Sequence, residues 1–476
     1  MIRVTSPWAA ITPLLIGLCG CRSETIVAAP SPAASVDAAA PAVQEMDAAV
    51  PEVRGAQACS ADRNAFWTFA VPTACVGKRT CIDARYRFWV NGRPFRPRGV
   101  YNGGSEYLKV MASCPAGSLC EATTPHDAAG YVKILADAGI NLFTERSRFL
   151  AKEMLDAIHA EPGMQIAHLL WNDPFTKDGH DAMVTEIEAA AADPKVVMWF
   201  GPDEVDYNDN WAEAAGIRRL LRGSSPALDE LLHGAYTPKT AMPFLPDAEP
   251  AHDPHALPFG AALNLDRGIV AGTRVYDALM PVTYPFTSQQ APANTGRWGT
   301  QRLTTFATQK APFVPVLQLV GISEMGLSQP TPNQLRAVIA SALARGGRGE
   351  YYYTLFSDKP SYLGREGWFA PDAKEAWSAL IEMHKLEDAM TPIFFGEAAE
   401  AEGRTNGIEW RSWTLAGRKV VLFVNPTSKD ASVDLDAIVA SPDAFRARTF
   451  DDCEPLDEHA FALAGYGVRV VEALLP

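Results

Sequence analysis

Asp193-Pro194-Lys195-Val196-Val197-Met198-Trp199-Phe200-Gly201-Pro202-Asp203-Glu204-Val205-Asp206 is the stretch from which the fold can be read. Val196 to Phe200 is a short, continuous apolar run bounded by turn residues. That is the pattern of a strand buried on both faces, as in a parallel sheet. The run ends at two adjacent carboxylates, with a third two residues on. In a repeating βα chain the chemistry sits at the carboxyl ends of the strands. A glutamate placed there can act as general acid on a leaving group. Asp203 or Asp206 can equally cap the helix expected from Trp211 to Leu221. Capping accounts for one aspartate and leaves Glu204, between the two, unexplained.

Outward from this stretch the chain alternates. Upstream, Arg87 to Phe95 reads as a hairpin with Asn91-Gly92 at its turn, leading into a first inner strand at Arg96–Asn102. Helices are expected at His126–Ala138, Phe149–His159 and Asp181–Ala192, and strands at Ile140–Thr144 and Met164–Trp171. Downstream, a strand is expected near Leu231–Tyr236, then a long Pro- and His-containing loop over residues 237 to 273. Strands follow at Tyr276–Thr283, Phe313–Val320 and Gly349–Leu355, with helices at Arg297–Gln309 and Pro332–Ala344. Eight strands with intervening helices over about 270 residues suit a (β/α)8 barrel of the α/β class. No G-x-G-x-x-G or Walker sequence follows a strand, so a nucleotide site has no support.

After about Thr391 the period changes from helical to alternating. Glu409–Leu415, Lys419–Pro426 and Tyr466–Val471 read as strands of a small antiparallel β-sandwich. The expected domains are residues 59 to 390 for the barrel with its N-terminal hairpin, and 391 to 476 for the sandwich.

The 476 residues are 47% hydrophobic and 21% charged, a globular composition. A net charge of −14 argues against nucleic acid and against an anionic membrane surface as partners. Residues 1 to 21 read as a targeting segment, with Arg3 ahead of the apolar run Trp8–Leu18. The run is too short to span a membrane. Leu18-Cys19-Gly20-Cys21 resembles a bacterial lipobox, which makes Cys21 the lipidated residue. An outer-membrane anchor is then expected, because no aspartate follows Cys21; ordinary secretion is the alternative. Residues 22 to 58 are rich in Ala, Pro and Val and read as a disordered tether.

Six further cysteines, at 59, 75, 81, 114, 120 and 453, suit disulfides in an exported chain. Cys75 with Cys81 and Cys114 with Cys120 are the simplest local pairings. Cys59 with Cys453 would tie the start of the folded region to its end. Six cysteines allow 15 pairings, so this is a preference. Their spacing does not suit a structural zinc site, no pair of histidines has metal-ligand spacing, and no Gly-x-Ser-x-Gly elbow occurs. No metal and no cofactor are expected.

Phe88 to Phe95 followed by Arg98-Gly99-Val100-Tyr101 resembles the start of the barrel in glycoside hydrolases of the large retaining clan. Ala138 to Leu142, Trp199 to Glu204, Ala278 to Pro285 and Gly346 to Tyr353 are similar to the clan's second, fourth, sixth and eighth strands. The resemblance covers about residues 87 to 476 and lies in the order of short motifs. It implies a TIM barrel with a C-terminal β-sandwich that acts on an oligo- or polysaccharide, with Glu204 as acid/base. The clan's pattern there is Asn-Glu, where this chain has Asp203-Glu204. The clan also places a nucleophilic glutamate at the end of the seventh strand, where this chain has Gln318. An amide cannot form the glycosyl ester. Glu324 is the first substitute and Asp173 the second.

The remaining site candidates are residues at expected strand ends. Tyr101, Trp171, Tyr207, Tyr284 and Tyr353 could stack on sugar rings, though each alone fits a core position. Arg146 could orient a carboxylate or sugar hydroxyl, or pair with Glu145. Asp203, Asp173 and Gln318 complete the polar set. His168 lies inside a strand and reads as a core histidine; Glu350 begins the eighth strand, at the opposite end, and reads as structural. Two alternatives remain: a non-catalytic carbohydrate-binding lipoprotein on a degenerate barrel, and a structural envelope lipoprotein.

Overall fold

A computed structural model of the chain describes residues 61–101, 127–145, 151–170, 177–201, 211–221, 257–263, 276–283, 285–286, 312–319, 327–353, 374–439, 445–456 and 458–475. Strands β1 (Thr80–Ile82), β2 (Phe88–Val90) and β3 (Arg93–Phe95) form a small antiparallel sheet. Asn91 and Gly92 make its two-residue turn, both at positive φ (50° and 73°), as a type I′ hairpin requires.

The barrel follows. Its strands are β4 (Arg98–Tyr101), β5 (Leu142–Glu145), β6 (Gln165–Leu169), β7 (Val196–Phe200), β8 (Phe259–Leu263), β9 (Ala278–Thr283), β10 (Val316–Gln318) and β11 (Glu350–Tyr353). Each pairs in parallel with the next, and β11 pairs back onto β4, closing the barrel. Helices α1 (Ala128–Asp137), α2 (Lys152–Ala160), α3 (Lys177–Ala192), α4 (Trp211–Leu221), α5 (Pro332–Ala344) and α6 (Lys374–Phe395) follow β4, β5, β6, β7, β10 and β11 respectively. The (β/α)8 expectation holds.

Local sequence explains most boundaries. Asp127 caps α1 by accepting from the Gly130 N–H, and α1 gives way to Gly139 at φ +82°. A Cβ at Gly139 would also lie 2.9 Å from the Cβ of His384, so glycine is required twice over. Thr331 and Gln334 form a capping box at α5, with Pro332 at its first turn.

One strand is placed differently from the sequence reading. The position between β7 and β9 is held by Phe259–Leu263, inside the stretch expected to be loop, and not by Leu231–Tyr236. Gly260, Ala261 and Ala262 carry little strand propensity; pairing with the two neighbours makes them a strand. The segments 231–236 and 297–309 lie outside the described residues. Helix α6 runs through residues 390 and 391 and contains Pro392, and the antiparallel sheet begins only at Ala399.

Apolar side chains form three layers. The barrel interior holds Leu142, Leu169, Val197, Phe200, Met280 and Val316, and is stoppered by Phe88 and Val90 of the hairpin. A second layer lies between the strands and the helices and continues onto Val420, Leu422 and Val424. These belong to a six-stranded sheet ordered β12 (Ala399–Thr405), β13 (Ile408–Leu415), β14 (Arg418–Val424), β19 (Val468–Leu474), β16 (Arg446–Thr449) and β17 (Pro455–Leu456). The alternate residues Val421 and Phe423 face a third layer, with Val433 of β15 (Ala431–Asp434) and Leu463 of β18 (Ala460–Leu463). That two-stranded sheet completes the sandwich, with the short helix α7 (Asp436–Val439) beside it. Helix α5 packs on β13, β14 and β19, so β14 is covered on both faces.

The beginning of the described chain also sits on this sheet. Residues 61–66 are helical, Arg63 donates to the Phe450 carbonyl, and Asp62 bridges Arg418 and Arg448. Cys75 and Cys81 form the expected local disulfide. Cys453 is also disulfide-bonded, while Cys59, Cys114 and Cys120 lie outside the described residues.

Candidate functional site

Of the residues expected at the carboxyl ends of the strands, the described ones are Tyr101, Gln318 and Tyr353. Strand β7 is buried throughout and ends at Phe200, with Gly201 next. A Cβ on Gly201 would approach the Phe259 ring to 2.9 Å and the Tyr276 ring to 3.2 Å. Only glycine lets the chain leave the strand this close to β8 and β9.

The strand itself carries a feature that its sequence does not disclose. Ile166 of β6 pairs with Val196 of β7, and Ala167 pairs with Met198, so Val197 is an extra residue. This β-bulge resets the alternation. Met198 and Phe200 join the barrel interior, while Val196 and Trp199 join the outer layer. Without the bulge, strict alternation from Val196 would put Trp199 inside and Phe200 outside. Inside the barrel the Phe200 ring meets Tyr351, with centroids 5.8 Å apart. Outside, Trp199 meets His168 edge-on at 5.8 Å, and His168 Nε2 lies 3.1 Å from Glu186. His168 is a partnered core histidine.

Asp203, Glu204 and Tyr207 follow β7 in sequence and lie outside the described residues, as do Arg146, Trp171, Asp173, Tyr284, Glu324 and Cys21. The backbone places Tyr101 at the end of β4 and Tyr353 at the end of β11. Tyr353 pairs across the sheet with Gln318 of β10.

Gln318 is 0% exposed, and its amide spans two loops. Its Oε1 accepts from the Phe286 N–H at 3.0 Å, and its Nε2 donates to the Phe286 carbonyl at 3.1 Å and to the Ser328 carbonyl at 2.8 Å. A carboxylate has no N–H to give those two carbonyls. The amide is therefore the group that this position needs to hold the chain after β9 against the chain before α5. Among residues 312–319 none is acidic, so the seventh strand supplies no second carboxylate there.

At the opposite end, under the hairpin, lies a dense ionic cluster that no single sequence motif signals. Arg96 pairs with Glu350 at 3.0 Å and with Glu387 at 3.1 Å. Arg98 pairs with Glu387 at 2.9 Å and with the exposed Asp388 at 2.8 Å. Burial and the neighbouring Glu387 raise the Glu350 carboxyl above the ordinary carboxylate range. Burial acts upward on Glu387 too, but Arg96 and Arg98 outweigh it and hold that group low. His384 lies 2.6 Å from the Ala138 carbonyl through Nδ1 and 2.7 Å from the Tyr352 hydroxyl through Nε2. A carbonyl only accepts, so Nδ1 carries the proton and Nε2 accepts from the tyrosine. Burial, then Arg98, lowers His384 to about 3, which keeps it neutral. Glu350 and Glu387 are both fully buried, so no substrate reaches this cluster. It is structural, as the position of Glu350 at the start of the eighth strand implies.

Among the described residues no group of three His, Cys, Asp or Glu could hold a metal ion.

No family model matches the chain, and no curated protein matches it. Solved structures do. One is a glycoside hydrolase family 5 protein from Bacteroides vulgatus ATCC 8482, at 12% identity and TM-score 0.51, covering 85% of this chain and 95% of that one. Another is AmyP in complex with maltose, at 12% identity and TM-score 0.51, covering 79% of this chain and 96% of that one. At this identity the likeness is one of fold: the chain has a TIM barrel of the kind found in glycoside hydrolases, followed by a C-terminal β domain.

Proposed function

We propose that this chain is an exported glycoside hydrolase-like protein that acts on an oligo- or polysaccharide at the carboxyl end of its barrel, with Glu204 as acid/base. The observation that carries the reading is the course of β7. The fourth strand runs buried to its carboxyl end and passes through Gly201, and Asp203-Glu204 come two and three residues later. In TIM-barrel enzymes this is where catalytic groups sit. Asp203, a close like charge, would raise the proton affinity of Glu204. Hydrolysis requires a second carboxylate, roughly 5–5.5 Å away for retention and roughly 6.5–9.5 Å for inversion. Glu324 and Asp173 are the candidates. The maltose held by AmyP supports a saccharide as the ligand class.

A second reading is a glycan-binding protein on the same barrel. The buried, fully engaged Gln318 on the seventh strand favours it.

Assays on aryl glycosides and polysaccharides separate the two. If the chain is an enzyme, Glu204→Gln loses about 10²- to 10⁴-fold in rate and keeps its melting temperature. If wild type and variant are equally inert and both bind glycan, the binding reading stands and the enzyme reading fails. If neither binds any glycan, both fail. Envelope anchoring rests on Cys21: metabolic palmitate labelling should appear in the wild type and vanish in Cys21→Ser. Labelling of neither protein would remove the lipid anchor and leave plain secretion.

A further inference from the structure

Beneath the barrel, where the hairpin, the end of α6, the α5–β11 turn and β13 converge, is a small cavity lined by Arg87, Arg96, Arg348 and Arg411. The remaining lining is glycine, apolar or aromatic, including Phe394 and Trp413, and none of it is acidic. The arginines' carboxylate partners lie off the lining. Arg87 is held by Asp83 at 2.7 Å, Arg96 by Glu350 at 3.0 Å, and Arg411 by Glu402 at 2.7 Å and by Glu400. Arg348 is the least satisfied: its two contacts to Glu400 are both 3.5 Å, the outer limit for a hydrogen bond. The Trp413 indole N–H, on a side chain 2% exposed, has no hydrogen-bond partner in the protein. A buried donor left unmade is costly.

We propose that this cavity is a binding site for a small monovalent anion of the halide class, held by Arg348 and Arg411 with the Trp413 N–H as a further donor. The space available to a small sphere is about 20 Å³, enough for one water or one halide ion. The apolar rings in the lining favour a weakly hydrated anion over sulfate or phosphate, whose charge and oxygens need more donors. Electrostatics agree. Burial lowers the Arg348 guanidinium, Glu400 opposes that, and Arg411 and Arg96 add repulsion. An anion among them relieves that repulsion. A wider cleft of about 320 Å³ shares Gly346, Arg348 and Arg411 with the cavity and is lined as well by Glu400 and Glu402, the carboxylates that hold those arginines from the other side. The site lies at the junction of barrel and sandwich, so its occupancy would couple the two, independently of any chemistry at the mouth.

The test uses the full chain in sodium chloride or bromide against sodium gluconate at equal ionic strength. The halides should raise Tm by about 2 °C or more, saturably. Crystals soaked in bromide should show an anomalous peak between Arg348, Arg411 and Trp413. Trp413→Phe keeps the ring and loses the donor, and should weaken halide binding roughly two- to tenfold. Arg348→Met should abolish it; should that variant not fold, the wild-type measurements still decide. Equal Tm in the two salts, a bromide peak elsewhere only, or unchanged affinity in Trp413→Phe overturns the proposal.

Discussion

The floor of this barrel and the end proposed as its mouth put carboxylates to different uses. At the floor, Arg98, Glu350 and Glu387 are buried, and Arg96 and Arg98 are held by the two carboxyl groups. At the mouth, strand β7 runs out at Gly201 toward carboxylates that the sequence leaves without an assigned partner. Buried charge that is fully paired is architecture, because removing either partner strands the other in a dry interior. Charge intended for chemistry must keep a coordination site for the substrate. The type of residue does not separate the two uses; the partners do.

The sharpest way to break that comparison is to remove one carboxylate at each end. Glu204→Gln is expected to cut turnover by about 10²- to 10⁴-fold without moving stability. Glu387→Ala should do the reverse, lowering unfolding free energy by about 3–5 kcal/mol because Arg96 and Arg98 lose their shared partner. Urea titration against activity of the folded fraction reads both. A stable Glu387→Ala protein, or a destabilised Glu204→Gln, would erase the distinction.

A smaller effect sharpens it. His384 is neutral in the folded protein, with its pKa held near 3 by burial and Arg98, against 6.5 as the ordinary value. Below pH 6.5 the unfolded chain takes up a proton that the folded one refuses. Stability from this group is therefore complete above that value and declines as pH falls toward 3, by about 1.4 kcal/mol per pH unit at most. The lowered Glu387 adds loss further into acid. The raised Glu350 acts oppositely, contributing most at low pH and less as pH climbs through its folded value. His384→Asn should flatten the acid limb of a urea-stability profile between pH 6.5 and 3. An unchanged slope would mean that histidine is not the titrating group.

Much of the fold was legible because its strands and helices obey local rules. Val196–Phe200, Trp211–Leu221 and Pro332–Ala344 fall where pattern and caps put them. The fifth strand was not legible, since Gly260, Ala261 and Ala262 become a strand only through β7 and β9. The change of period lies near Thr391, yet α6 continues through Pro392 to Phe395, losing only the one backbone hydrogen bond that residue 392 would have donated to the Asp388 carbonyl. The bulge at Val197 is set by register with β6, which no single segment encodes. The floor cluster was invisible for the same reason: its members are spread from Arg96 to Glu387. At the mouth, the sequence could flag Gln318 as a departure, but only its bonds to Phe286 and Ser328 reveal why an amide stands there.

The placement of Asp62 and Arg63 on the C-terminal sheet has a mechanical consequence. Traction on the chain before residue 61 meets the Asp62–Arg418 and Asp62–Arg448 bridges and the Arg63–Phe450 bond before it meets any barrel strand. The load passes first into the sandwich. In a protein held to a surface by its leading segment, the sandwich would act as the strain relief and the barrel would stay unloaded.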